Sequence, residues 1–104
     1  MVYTIDQIKE KIVPVAKQYD LSKIYLFGSY ARSEADGKSD VDIVLELEDD
    51  YIYFDVYSRL LTIFDGNIDI LLVSDLLSTK TNIGKLVKKN FLNDREVIYE
   101  KSIS

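Results

Sequence analysis

Near the start of the chain, Ile5, Ile8, Ile12, Val15, Ala16 and Tyr19 recur at helical spacing and predict one helix over about 5–19. Thr4, with Gln7 three residues on, reads as its capping box. Pro14 removes one backbone bond, to Glu10, and predicts a kink; because the apolar stripe runs through it, a single helix covering a sheet is expected. The period then changes. Residues 23–27 are rich in β-formers and predict a first strand ending at Gly28, followed by a short helix over 29–34. Asp36-Gly37 marks a turn into a second strand over 41–47. On it Val41, Ile43, Leu45 and Leu47 share a core face, while Asp40, Asp42, Val44 and Glu46 share a face that is acidic at its start. That second face fits a strand whose first residues line a cleft and whose middle is covered.

After an acidic turn at Glu48, Asp49 and Asp50, whose charge suits a helix N-terminus, Ile52, Val56, Leu60 and Ile63 predict a helix over 51–64. Tyr53 and Tyr57 in it read as core and interface groups. Gly66-Asn67 ends it, and residues 68–73 form a third strand with Asp69 as its sole charge. Residues 74–81 read as a polar connector. Asn82 then caps a helix over 82–91, with Ile83, Leu86, Val87 and Phe91 inward and Lys85, Lys88 and Lys89 outward. Asn93-Asp94 is a turn before a last strand over 96–99. The pattern is α/β: a small mixed β-sheet flanked by helices, one domain over 1–104.

Composition narrows the chemistry. With no cysteine and no histidine, thiol catalysis, imidazole bases and the usual zinc sites are excluded, which leaves carboxylates and hard cations. A net charge of -5 argues against direct nucleic-acid binding. Residues 80–104 nevertheless carry 6 basic and 3 acidic groups, which could meet triphosphate, RNA or an acidic partner, or form a solvated helix face. No signal peptide or membrane span is read, so a cytoplasmic protein is expected.

Two features then stand out together. Asp40 and Asp42, two apart on a strand, point the same way, and like charges there call for a divalent cation between them. Gly28-Ser29 at a strand end offers bare N–H groups and a hydroxyl where a phosphate could be cradled. Arg32 could pair with an acid or reach a phosphate. Asp69, a carboxylate inside an apolar run, is the leading candidate for a buried functional acid.

Gly28-Ser29, ten residues and then Asp40-Val41-Asp42, with Ala31-Arg32 between and Ser39 before the first aspartate, resembles the signature of the nucleotidyltransferase superfamily related to DNA polymerase beta. The chain is most similar to the minimal nucleotidyltransferases (MNT) of bacteria and archaea, many of them antitoxins paired with a HEPN-domain ribonuclease toxin. The resemblance implies a polymerase beta palm-like fold and transfer of AMP from ATP to a hydroxyl acceptor, a tyrosine of a partner HEPN toxin. It implies Asp40, Asp42 and Asp69 as catalytic residues and ligands of two magnesium ions, about 4 Å apart in such sites. It also implies Gly28, Ser29, Arg32 and Ser39 as nucleotide-binding positions. One departure is Ser33, where the family commonly has glycine, a position expected to shape the turn rather than the chemistry. An antitoxin acting by binding alone, or a small-molecule nucleotidyltransferase, are the alternatives.

Overall fold

In the computed structural model, which describes residues 2–47 and 50–101, four strands alternate with five α-helices. The order is α1 (Ile5–Gln18), β1 (Lys23–Phe27), α2 (Gly28–Ala31), β2 (Val41–Glu46), α3 (Tyr53–Ile63), β3 (Ile68–Leu72), α4 (Val73–Leu77), α5 (Asn82–Asp94) and β4 (Glu96–Glu100). Of the expected acidic turn, Glu48 and Asp49 lie outside the described residues; a 3₁₀ turn, Asp50–Ile52, leads into α3. Among the described residues no helix is long and apolar enough to cross a membrane.

The helix α1 starts as the sequence predicts. Thr4 Oγ1 accepts from the Gln7 N–H at 3.1 Å, and Gln7 Oε1 accepts from the Thr4 N–H at 2.9 Å. The helix continues through Pro14; Pro14 and Glu10 are both exposed, so the carbonyl that loses its partner can turn to water.

The strand order is β3-β2-β1-β4, with β1 antiparallel to both β2 and β4 and β2 parallel to β3. A parallel pair cannot be joined by a tight hairpin, and α3 supplies the crossover. One sheet face, carrying Ile24, Leu26, Val41, Ile43, Leu45 and Ile70, is buried under Ile8 and Ile12 of α1 and Val56 and Leu60 of α3. Phe64, just past α3, is fully buried here, and a side chain of that size contributes about 3 kcal/mol by leaving water. The opposite face is only partly covered. Phe27 and Val44 pack there with Leu76 of α4 and Phe91 of α5, and Phe91 meets the Tyr25 and Phe27 rings edge-on at 5.2 and 5.8 Å. The early part of β2 on this face stays open, as its acidic start predicts.

Several local expectations need correction. The segment expected as a polar connector contains α4, whose single turn is too short to show a helical period, though it buries Leu76. The final helix is capped by Thr81, whose hydroxyl accepts from the Gly84 N–H at 2.9 Å, and it runs on to Asp94, absorbing the expected Asn93-Asp94 turn. Its early apolar residues also face outward: Ile83 is 79% exposed and Leu86 59% exposed, because α5 meets the sheet through its later turns. Ile83→Ser and Leu86→Ser should therefore each shift unfolding free energy by less than about 0.5 kcal/mol in urea titrations, where a core position would lose several times more.

The predicted short helix over 29–34 is one turn, 28–31, and the chain leaves it through Ser33 at φ +59°. This left-handed conformation is unfavourable for a residue with a Cβ and free for glycine, which accounts for glycine being common there in the resembled family. Ser33→Gly should stabilise the protein by roughly 0.5–1 kcal/mol, read as a higher urea midpoint at unchanged slope.

Candidate active site

The register of three neighbouring strands builds the site. Asp42 is the second residue of β2, opposite Phe27 of β1 on one side and Asp69 of β3 on the other. Because Gly28 follows Phe27, the Gly28-Ser29 corner, Asp42 and Asp69 lie in a row across one end of the sheet. Gly28 has φ +74°, and a Cβ placed on it would collide with the Asp42 carboxylate, with Asp42 Cγ 3.2 Å away. The corner is thus a glycine for two reasons, backbone conformation and the close approach of an acid.

A cleft of about 510 Å³ opens over this row. Gly28, Ser29, Arg32, Asp42 and Asp69 line it, with Tyr57 of α3 and Val87 and Asn90 of α5 at its margins. Tyr57 and Asn90 carried no signal in the sequence. The first sits among tyrosines at core spacing, and the second is a single amide on a lysine-rich helix.

Asp42 is half-buried and its carboxyl is pushed up from an ordinary 3.8 to about 6. Burial is the largest cause, followed by the charge of Asp69 and a hydrogen bond shared with it; Asp40 adds further repulsion, and the Arg32 cation partly offsets these. Two carboxyls sharing a hydrogen bond must share a proton between them, or a cation must take its place.

The expectation that Asp69 is the buried acid is corrected. Asp69 is exposed, because β3 is an edge strand, and burial falls on Asp42 in the interior strand β2. The two are nevertheless in contact. Asp40 is exposed at the strand entrance and acts on Asp42 through its charge. Among the described residues no three acids close into a preformed metal cage. The donor chemistry, a hydrogen-bonded carboxyl pair with a third acid two residues away, fits a hard divalent cation that would draw them together.

Arg32 and Ser39 are held by structural partners. The Arg32 guanidinium donates to Glu34 Oε2 at 3.0 Å and to Asp94 Oδ2 at 2.6 Å, tying α2 to the end of α5 while still bordering the cleft. Ser39 lies away from the cleft lining; its Oγ accepts from the Asp36 N–H at 3.0 Å and donates to Asp36 Oδ1 at 3.2 Å, closing the turn before β2.

Residues 10–104 match the family model described as polymerase beta, nucleotidyltransferase. The chain belongs to the polymerase beta nucleotidyltransferase family. A protein of Methanocaldococcus jannaschii named "Putative protein adenylyltransferase" is 30% identical over 93 residues, covering 86% of this chain and 92% of the relative. Solved structures share the fold of this nucleotidyltransferase at lower identity. A chain in the crystal structure of a toxin–antitoxin with AMP-PNP superposes with a TM-score of 0.65 at 20% identity, covering 90% of this chain and 74% of that one. A chain in the structure of a tri-AMPylated Shewanella oneidensis HEPN toxin in complex with MNT antitoxin superposes with a TM-score of 0.62 at 17% identity, covering 94% and 74%.

Proposed function

We propose that this nucleotidyltransferase is a cytoplasmic antitoxin that transfers AMP from ATP to a tyrosine of a HEPN-domain toxin. The observation carrying this reading is the contact between Asp42 and Asp69 on adjacent parallel strands beside the Gly28-Ser29 corner. Support for the substrate and partner comes from the M. jannaschii relative's name and from the complexes that share the fold.

In this mechanism Asp40, Asp42 and Asp69 would hold magnesium, which when bound supplies neutralising charge for the entering and leaving oxygens. The Gly28-Ser29 corner offers its N–H groups and hydroxyl to the β- and γ-phosphates. Gly28 lets backbone and carboxylate approach closely, so that the phosphate end and the acidic end of the cleft are contiguous. Asp69, exposed on the edge strand, orients the acceptor hydroxyl and takes its proton, since the chain has no histidine to do so. Arg32 reaches a phosphate only by giving up part of its hold on Glu34 or Asp94.

The test is incubation of the protein with labelled ATP, magnesium and its HEPN partner. Label on a partner tyrosine that disappears with Asp42→Asn supports transfer. Neutralisation of the partner without label, surviving Asp42→Asn, would show that binding alone is the activity.

A further inference from the structure

The cleft has an order fixed by the fold. The helix α5 packs on α2, α2 on β2, β2 on β3 and β3 on α3, so its lining runs from Asn90 and Arg32 through Gly28-Ser29 and Asp42 to Asp69 and then Tyr57. With the leaving phosphates at the Gly28-Ser29 corner, the acceptor enters at the opposite end, past Asp69. A tyrosine of the chain itself already stands there.

Tyr57 is half-buried, and its ring lies 5.7 Å from that of Tyr53. The two hydroxyls differ in their commitments. Tyr53 Oη donates to the Ile70 carbonyl at 3.3 Å, bracing the edge strand, whereas the Tyr57 hydroxyl makes no hydrogen bond among the described residues. No buried side-chain polar atom among the described residues lacks a partner, so this hydroxyl is open to solvent, and it borders the same cleft as the acid pair.

We propose that Tyr57 is an acceptor in cis: in the absence of a partner the protein adenylylates its own Tyr57. This rests on the nucleotidyl-transfer reading above. Tyr57 Oη forms a bond to the α-phosphorus of ATP as the bond from that phosphorus to the oxygen bridging to the β-phosphate breaks. Pyrophosphate leaves with the bonding pair, and the phenolic proton passes to the Asp69 carboxylate. A modified Tyr57 fills the acceptor end of the cleft, so an arriving partner tyrosine competes with self-modification for the same nucleotide.

The experiment incubates the full chain alone with labelled ATP and magnesium and reads intact mass and fragment-ion spectra. One adenylyl group per chain is expected on Tyr57, absent from Tyr57→Phe and from Asp42→Asn. Label on Tyr51 or Tyr53 instead, or full labelling of Tyr57→Phe, overturns the proposal. So does a chain that binds a non-transferable ATP analogue in equilibrium dialysis yet stays unlabelled, and that outcome leaves the nucleotide site standing. Failure to bind the analogue at all defeats the nucleotidyl-transfer reading together with this one.

Discussion

Asp42→Asn is expected to lower nucleotidyl transfer by about 10³-fold or more, roughly 4 kcal/mol of barrier, while making the protein more stable at neutral pH. The two effects share a cause. The folded protein raises the Asp42 carboxyl from 3.8 to about 6, so the folded state holds this proton more tightly than the unfolded chain does. The resulting contribution to stability is fully present below about pH 4 and is lost as pH rises through 6. At pH 7 the ionised group is left repelling Asp69 and Asp40. Because Asp42 is only half-buried, solvent screening reduces the penalty to about 1 kcal/mol. Asparagine keeps the shape and removes the charge, so the variant should gain about that much in urea unfolding at pH 7.5 and only a small part of it at pH 4. A stabilising substitution that abolishes activity is the signature of a site strained for function.

Gly28→Ala should do the opposite to the fold and similar damage to the chemistry. The backbone at φ +74° costs an alanine about 1–2 kcal/mol, and the new Cβ meets the Asp42 carboxylate. The acid can move aside only by leaving Asp69. Transfer should fall by about 10²-fold from the misplacement of a catalytic group. A double-mutant cycle with Asp42→Ala separates the two costs: the steric part vanishes when the carboxylate is absent, and the backbone part remains.

Much of this arrangement was readable from the residues. The switch from helical to alternating period placed β1 and β2, and the acidic start of β2 marked an open patch on an otherwise covered face. The sequence pattern also paired the glycine-serine corner with Asp40 and Asp42. What it could not give was strand order. A carboxylate in the run Ile68 to Val73 reads as buried unless β3 is known to be an edge strand, and that depends on which strands flank β2. For the same reason the strongly shifted acid is Asp42, one strand further in. The outward turn of Ile83 and Leu86 was hidden for a related reason, since periodicity identifies an apolar stripe but not how much of its length a sheet will reach. Tyr57 and Asn90 come to the cleft through tertiary packing, with no local pattern to announce them.

Carbon-detected NMR titration of the Asp42 carboxyl, with and without magnesium, addresses the acid pair directly. The account predicts a midpoint near 6 in the absence of divalent cation, brought down toward the ordinary carboxylate range by magnesium and also by Asp69→Asn. A midpoint that stays at its ordinary value, unmoved by either, would contradict it.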